Sequence, residues 1–372
     1  MKTGTKATMK AVVWDGGDYP DSLSYVDHEV PSPPPGWVRV DVKAVGICGS
    51  DLHVLVGDVK YLVPKKNLPA ILGHENAGVV AELGEGVTGV KPGDRVGVEP
   101  LHPCTCFGES CPTCRRGDYH ICVPGLSWVG MPIGRFPMHG GYGEYVLAHE
   151  SRVFKIPDSL SFKEACILDN LAVEVHALKV GNPQVGETTA VMGCGIVGLE
   201  MIQCLRARGI RDIIAIAKYP HQAALARRLG AGEIVVLEPG LDIVKEVLKL
   251  TAGVGVNQVY ECVGGHTDAV AQSLEICAKG GKVVMIGGAP KTRPIDLQAM
   301  LLREANLLPC MSYSNTGTTR DFQIAINLLR DGLVDHKCLV THAFAPEEYR
   351  SALDTAMSKG RQDVGKVVMV RE

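Results

Sequence analysis

Residues 191–204 read "VMGCGIVGLEMIQC", with a strand-like run before three glycines and a helix-like run after them. The glycines are Gly193, Gly195 and Gly198. In a unit that binds a dinucleotide, the first allows a tight turn and the second lets backbone approach a pyrophosphate. The third lets the helix pack closely on the strand, and the helix N-terminus, at Ile196 and Val197, faces the phosphates. This stretch therefore predicts a dinucleotide site.

The surrounding sequence repeats the strand–helix pattern from about residue 166 to residue 305. The strand-like runs are "TTAVMG", "IIAIA", "EIVVL", "VNQVYEC" and "KVVMIGG", and helix-like runs separate them. Such alternation predicts an α/β domain with a doubly wound parallel sheet of Rossmann type. Val263 and Gly287, at the ends of the last two runs, are further candidates for contact with the cofactor.

The end of the second strand-like run bears on the choice of cofactor. An NAD-binding fold usually carries Asp or Glu there, which hydrogen-bonds the adenosine ribose. The sequence is "IIAIAKYPHQ", so Ala217 takes the acidic position, Lys218 follows it, and His221 is nearby. No carboxylate repels a 2′-phosphate and a cation is within reach, although a lysine at a strand end is often simply solvated. The pattern favours NADP(H) over NAD(H).

The flanking regions have a different pattern. Residues 1 to 165 contain short alternating segments such as "WVRVDV", "NAGVVAEL" and "DRVGVEP", separated by glycine and proline turns. This pattern is typical of antiparallel sheet or barrel. We expect a β-rich domain over 1–165 that is completed by residues 306–372, with the dinucleotide-binding domain over 166–305.

Composition excludes several functional classes. The net charge of −3 gives no electrostatic reason to expect a nucleic acid or an anionic membrane as partner. No run of about twenty apolar residues predicts a membrane span, and the start "MKTGTKATMK" lacks the apolar core of a signal peptide. We therefore expect a cytoplasmic protein, in which thiols stay reduced or bind metal.

Five of the thirteen cysteines lie within residues 102–122, "HPCTCFGESCPTCRRGDYHIC". Packing alone does not explain so many thiols in so short a segment, whereas a tetrahedral zinc gives each thiolate a partner. A redox role for the pair Cys111 and Cys114 is the secondary interpretation.

Two further motifs contain metal-ligand residue types: "GICGSDLH" at 46–53 and "GHEN" at 73–76. A catalytic zinc needs about three nitrogen, sulfur or oxygen ligands and one open position. Cys48 and His74 could supply two ligands, or they could be a buried cysteine and a structural histidine.

Together these motifs resemble the zinc-dependent medium-chain dehydrogenase/reductases, which include alcohol, sorbitol and threonine dehydrogenases. That family has G-x-C-G/R-S/T-D-x-H, then G-H-E, then a cysteine-rich lobe, then Gly-x-Gly-x-x-Gly. All four patterns occur here in this order, and the resemblance extends from Met9 to the C-terminus. It implies a GroES-like β-rich catalytic domain beside the Rossmann-type domain.

The resemblance also implies residue roles. Cys48 and His74 match the first two catalytic zinc ligands. Ser50 matches the hydroxyl that contacts the substrate oxygen, and His53 matches the outer member of its proton relay. Asp51 matches the carboxylate that orients the zinc-bound histidine.

The third catalytic ligand is less regular. Polyol-type relatives use the Glu of a segment like E-P-L-A-V-x-x-H-A, and this sequence reads "DNLAVEVHA", so the matching residue is Asp169. Aspartate is a competent zinc ligand that is one methylene shorter. Glu75, which matches a carboxylate beside the zinc, or a water remains the alternative. A carboxylate here favours the polyol or threonine branch over alcohol dehydrogenases that use Cys.

The lobe of the family has the spacing C-x2-C-x2-C-x7-C and binds a structural zinc. Cys111, Cys114 and Cys122 match its last three positions, but the first falls on Gly108. Cys106 or Cys104 must supply the fourth thiolate, and Cys106 is slightly preferred because it is nearer in sequence to Gly108 and requires a smaller extension of the loop.

The resemblance implies an oxidoreductase that transfers a hydride between a secondary alcohol, such as a polyol, and NADP(H) or NAD(H). It also implies a homodimer or homotetramer whose partner in catalysis is a small alcohol or carbonyl compound. Two alternatives are a zinc-independent enoyl or quinone reductase and a nonenzymatic cofactor-binding protein on the same fold. The retained ligand residues argue against both.

Overall fold

The computed structural model describes residues 7–288, 292, 294–358, 360 and 363–371. Residues 1–6, where the sequence predicts no signal peptide, lie outside this part of the chain. The described chain forms two compact units, Met1–Asp169 with His336–Glu372, and Asn170–Asp335.

The strands are β1 Thr8–Trp14, β2 Leu23–Glu29, β3 Trp37–Gly46, β4 Ala70–Ile71, β5 Glu75–Leu83, β6 Arg95–Val98, β7 Leu101–His102, β8 Ser127–Trp128, β9 Tyr145–His149, β10 Val153–Lys155, β11 Thr189–Met192, β12 Ile213–Ala217, β13 Glu233–Val236, β14 Val256–Glu261, β15 Cys277–Met285, β16 Asn306–Pro309, β17 Asn315–Thr316, β18 Thr319–Arg320, β19 Val340–Phe344 and β20 Lys366–Val370. The helices are α1 Gly49–Leu55, α2 Pro112–Arg115, α3 Phe162–Ala165, α4 Leu168–Gly181, α5 Ile196–Arg208, α6 Pro220–Arg228, α7 Ile243–Leu250, α8 Ala269–Ile276, α9 Leu297–Arg303, α10 Asp321–Arg330 and α11 Tyr349–Met357.

The first unit is built on a seven-stranded sheet and a three-stranded sheet. The larger sheet has the order β10-β6-β5-β3-β20-β19, with β9 also paired to β3, and the smaller has the order β2-β1-β4. In β3 the side chains alternate between partly exposed and buried positions, as the sequence "WVRVDV" predicts. The buried positions face a core that includes Trp14, Leu55 and Tyr142. The expectation of a β-rich unit is therefore confirmed.

The second unit contains the parallel sheet that the strand–helix pattern predicts. Its six strands have the order β13-β12-β11-β14-β15-β16, and each neighbouring pair is parallel. From β11 the chain adds β12 and β13 on one side of the sheet and then crosses to β14 on the other side. In such sheets, ligands bind at the carboxyl ends of the strands where the strand order changes direction. The glycine-rich turn directly follows β11, so the topology positions it at the expected binding place.

The boundary after the second unit differs from the expectation. The sequence pattern predicts that the chain rejoins the first unit at residue 306, whereas in the structure it does so at His336. The reason is β16, which adds a sixth strand beside β15 with Lys282 opposite Asn306. The strand is short and its residues are exposed or only partly buried, so no apolar run marks it in the sequence.

The fold contains no described helix that combines the length and the apolar character needed to cross a bilayer.

Candidate active site

Helix α1 and the loop before β5 bring the first group of predicted residues together. Cys48 directly precedes α1, and its backbone N–H donates to Asp51 Oδ2 at 3.0 Å. The other oxygen, Asp51 Oδ1, lies 3.2 Å from His74 Nδ1. Because a carboxylate only accepts, Nδ1 carries the hydrogen and Nε2 can offer a lone pair to a metal. Asp51 therefore holds the Nδ1 side of the His74 ring, and its role beside a zinc-bound histidine stays a prediction.

Tyr142 contacts the same carboxylate. Its hydroxyl donates to Asp51 Oδ2 at 3.3 Å, and both side chains are buried. Gly73, just before His74, has a φ of +93°, and a Cβ there would overlap the Tyr142 ring. The sequence analysis did not identify Tyr142, whose only signal was its place in "GGYGEY".

The Nε2 side of His74 faces two further predicted residues. Ser50 Oγ lies 3.4 Å from Nε2, and Asp169 Oδ2 lies 3.9 Å from it. Burial lowers the pKa of His74, but Asp51 and Cys48 outweigh burial and hold the pKa well above its usual value. A metal at Nε2 would displace the proton that this pKa retains.

Cys48, His74 and Glu75 form what we term the mixed cluster, with one candidate ligand atom from each within 4.8 Å of the others. The group includes Glu75 and leaves out Asp169, the residue that the sequence analysis preferred as third ligand. Glu75 is also paired with a cation, because Lys366 Nζ lies 2.5 Å from Glu75 Oε1 and both side chains are buried. Lys366 was missed because it is 291 residues away in sequence.

His53 lies one turn beyond Ser50 on α1, and its Nδ1 contacts Asp58 Oδ2 at 2.7 Å. The imidazole is half exposed, with 43% of the side chain accessible. His53 was predicted from its motif and Asp58 was not, although "GD" directly after a short helix is a recognisable turn signal.

Four cysteine thiols, which we term the thiol lobe, lie within 4.8 Å of one another: Cys104, Cys111, Cys114 and Cys122. Cys104 Sγ lies 3.6 Å from Cys114 Sγ, and Cys111 Sγ lies 4.0 Å from Cys122 Sγ. A tetrahedral zinc with bonds near 2.3 Å places its sulfurs about 3.8 Å apart. The four thiols therefore fit a closed structural zinc site.

The preference for Cys106 in this lobe is wrong. The turn at Cys104–Phe107 ends at Gly108, whose φ is +76°, and Cys104 N–H donates to Cys122 Sγ at 3.3 Å. Cys106 is directed elsewhere: its buried thiol lies beside Arg152, and burial raises its pKa although that guanidinium opposes the shift. The turn at Cys104–Phe107 determines which of the two cysteines faces the other three thiols, and residue spacing alone does not show the direction of that turn.

Proton affinities within the thiol lobe are uneven. A hydrogen bond from Thr113 lowers the pKa of Cys111 to about 5, whereas burial and the neighbouring thiols raise that of Cys114. Bound zinc would replace the protons on the remaining thiols, since the metal takes thiolates.

In the second unit, the glycine-rich turn has the geometry that the motif predicts. Gly193 has a φ of +96°, and a Cβ at Gly198 would overlap the Gly193 carbonyl oxygen. A Cβ at Gly195 would meet open space, so nothing in the protein blocks backbone approach to a ligand there. Ile196 begins α5 directly after this turn and Val197 follows it.

The remaining cofactor candidates lie at the ends of neighbouring strands. Val263 packs against Gly193, since a Cβ at Gly193 would lie 2.5 Å from Val263 Cγ2. Gly287 approaches Gly264 so closely that a Cβ would overlap the Gly264 nitrogen. Glu261 Oε1 accepts from Val263 N–H and Gly264 N–H, both at 2.8 Å, and so fixes this loop.

Ala217 ends β12 in a buried position, and the exposed Lys218 follows it. Lys218 Nζ lies 5.4 Å from the centre of the Tyr219 ring, which also stacks on His221. Helix α6 then begins at Pro220. A cation, an aromatic face and a helix N-terminus thus meet where an acidic residue would otherwise stand.

Two family models match the chain. "Alcohol dehydrogenase GroES-like domain" matches residues 34–158 and "Zinc-binding dehydrogenase" matches residues 197–331. The chain belongs to the zinc-dependent medium-chain dehydrogenase/reductase family. The resemblance stated from the four sequence motifs is therefore confirmed.

Individual members of this family are similar over most of their length. Sorbitol dehydrogenase of Bacillus subtilis (strain 168) is 33% identical over 86% of this chain and 86% of its own length. D-arabitol-phosphate dehydrogenase of Enterococcus avium is 33% identical over 94% and 95%. A structure described as a zinc-binding dehydrogenase of Sinorhizobium meliloti 1021, bound to NADP, has a TM-score of 0.83 and 27% identity over 98% and 100%.

Proposed function

We propose that this dehydrogenase is a zinc-dependent oxidoreductase that interconverts a secondary alcohol of the polyol class and the corresponding carbonyl compound. The observation that carries the proposal is the arrangement around His74: Asp51 holds Nδ1, while Ser50 and Asp169 approach Nε2. The family relatives named sorbitol and arabitol-phosphate dehydrogenases support the substrate class.

The donors around the mixed cluster fit zinc in a catalytic rather than a structural setting. Cys48 and His74 supply sulfur and nitrogen, and a carboxylate supplies oxygen, which leaves a fourth position for substrate. We assign the third place to Asp169, because Lys366 already neutralises Glu75 and competes with a metal for it. Cys104, Cys111, Cys114 and Cys122 hold the structural zinc in the same proposal.

When bound, zinc supplies Lewis-acid polarisation of the alcohol oxygen and the nicotinamide supplies a two-electron hydride acceptor. Ser50 lies beside Nε2, so its hydroxyl is placed to accept the alcohol proton. His53, one turn further along α1 and half exposed, is placed to pass that proton to water. Asp51 and Tyr142 keep His74 in a single orientation.

The preferred cofactor in this proposal is NADP(H). Buried Ala217 cannot repel a 2′-phosphate, and Lys218 with the N-terminus of α6 offers positive charge. The NADP-bound structural relative supports a nicotinamide cofactor of this type.

The direct test is nicotinamide absorbance during turnover of a panel of polyols, polyol phosphates, threonine and simple secondary alcohols, with NADP and NAD in parallel. We expect kcat/KM at least about 10-fold higher with NADP. K218A should lower the NADP value about 10-fold and leave NAD unchanged, since about 1.4 kcal/mol corresponds to tenfold. K279A, at an exposed lysine of the same unit, is the matched control.

Three outcomes would contradict parts of this proposal. Equal efficiency with both cofactors would remove the NADP preference and leave the dehydrogenase activity. No turnover of any alcohol in the panel with either cofactor, together with reduction of enone and quinone substrates, would favour the zinc-independent reductase. No change in nicotinamide absorbance with any substrate would favour the nonenzymatic cofactor-binding protein.

We also propose that a second copy of the chain covers one surface of the second unit. Helix α9 exposes about seven-tenths of each of Leu297, Leu301 and Leu302. Next to it in sequence, β16 is an edge strand with no further partner among the described strands. Two such edges can pair antiparallel about a twofold axis, which buries the leucines and satisfies both edges. L301K should halve the mass measured by light scattering, whereas L333K, at another exposed leucine, should not.

A further inference from the structure

We infer that Asp58 is a positioning residue for the proton relay: it fixes the tautomer and orientation of His53. This inference rests on the proposed dehydrogenase function and adds a residue to it. The observation behind it is the 2.7 Å contact between Asp58 Oδ2 and His53 Nδ1.

The local backbone is built so that this contact forms. Helix α1 ends at Leu55, and Gly57, with a φ of +89°, reverses the chain. Gly57 N–H donates to the Val54 carbonyl at 3.2 Å and closes the turn. Asp58 then points back toward His53, five residues earlier. Only a residue that tolerates positive φ allows this reversal at low cost, and glycine does so.

The contact determines which ring nitrogen is available. An ionised carboxylate only accepts hydrogen bonds, so His53 Nδ1 carries the hydrogen. In a neutral imidazole the other nitrogen, Nε2, is then an acceptor. Without Asp58 the hydrogen is free to move to Nε2, and the ring then presents a donor where the relay needs an acceptor.

The helix places this acceptor relative to Ser50. Residues three apart on a helix share a face, so Ser50 and His53 lie on the same side of α1. Ser50 is the inner end of the relay, and its Oγ lies 3.4 Å from His74 Nε2. The imidazole at the outer end is 43% exposed and Asp58 26% exposed, so water can take the proton there. In this proposal Ser50 accepts the alcohol proton as it gives up its own, that proton leaves the site through His53 Nε2, and the imidazolium, held by Asp58, releases a proton to solvent.

Activity measurements distinguish positioning from a structural role. D58A should lower kcat for alcohol oxidation about 10- to 100-fold with KM unchanged, because general-base steps contribute in that range. D58N keeps an acceptor oxygen and should lose less. D27A is the matched control: it removes from β2 an exposed carboxylate that pairs with Lys10 of β1, and it should leave kcat unchanged.

A double variant provides the stricter test. If Asp58 acts only through His53, H53Q and H53Q/D58A should have the same kcat, since residues that act as a unit are not additive. A double variant at least 10-fold slower than H53Q, with a lowered melting temperature, would show that Asp58 merely stabilises the turn and would overturn the inference.

A readout independent of turnover separates this inference from the proposed function. In protein labelled with [15N]histidine, the His53 signals, assigned by their loss in H53Q, should report the Nδ1–H tautomer, and D58A should shift them to Nε2–H. This tautomer in a protein that oxidises no alcohol would support the Asp58 contact and contradict the proposed function. The Nε2–H tautomer in the unmodified protein would overturn the Asp58 inference, whatever the activity.

Discussion

The mixed cluster and the thiol lobe lie in the same unit but are assembled in different ways. The thiol lobe takes all four donors from the segment Cys104 to Cys122, and all four are sulfur. The mixed cluster combines sulfur, nitrogen and oxygen from the start of α1 and the start of β5, with Asp169 nearby from α4. A closed set of identical donors suits a structural metal, and a mixed set with an open position suits catalysis.

The two sites also depend on different parts of the fold. The thiol lobe needs only a local chain reversal, so it can form around a metal without the rest of the unit. The mixed cluster needs the sheet, because β3 pairs with both β5 and β20 to bring Glu75 and Lys366 together. We therefore expect damage to the lobe to appear as lost stability, and damage to the mixed cluster as lost activity.

The largest expected effect is on turnover. C48S and D169A should each lower kcat at least about 1000-fold, or about 4 kcal/mol, with little change in melting temperature, since metal-supplied charge stabilisation is lost. Cobalt-substituted protein gives the sharper measurement, because D169A should alter its visible spectrum. E75Q is the comparison variant and should keep the metal. A cobalt spectrum unchanged by D169A and altered by E75Q would assign the third ligand to Glu75.

The next effect is on stability. C104S should release one zinc per chain, measured by mass spectrometry of the metal, and lower the free energy of unfolding by several kcal/mol, because structural zinc contributes directly to folding. C106S is the matched control two residues away and should keep both metals. Loss of zinc in C106S with retention in C104S would reverse the assignment of the fourth thiol.

A smaller effect is expected on the free energy of unfolding at low pH. Burial lowers the pKa of His102, in β7 just before the thiol lobe, to about 3. Its Nδ1 contacts the Pro100 carbonyl at 3.0 Å and its Nε2 accepts from His149 N–H at 3.0 Å, so a second ring proton has no acceptor. The unfolded chain takes that proton below about pH 6.5 and the folded chain does not, so stability falls as pH falls.

Between pH 7 and pH 5 this histidine should cost about 2 kcal/mol of stability. Urea unfolding at both pH values measures the loss, and H102Q should reduce it because glutamine does not titrate. An equal loss in H102Q would assign the acid sensitivity to other groups.

Sequence reasoning succeeded where the determining contacts are local. The turn from Gly193 to Gly198 and the Cys48–Asp51 segment need only neighbouring residues, and the structure has the geometry that their motifs predict. It failed where the chain returns from a distance: β16 joined the parallel sheet without an apolar run, and Lys366 met Glu75 from the far end of the chain. The choice between Cys104 and Cys106 failed for a third reason, since it depended on the direction of one tight turn.

The pairing of β20 with β3 has a consequence for biosynthesis. Glu75 is made early, and its buried carboxylate meets Lys366 only after 291 further residues have been added. Until then β3 lacks β20 as a neighbour and Glu75 has no buried lysine beside it, and burying an uncompensated charge is costly. The sheet of the first unit therefore lacks β20 until the end of synthesis, whereas the second unit, one continuous segment, can already fold on the ribosome. We therefore expect the part of the first unit around Glu75 to be completed last, after the segment from Cys104 to Cys122 has already been made.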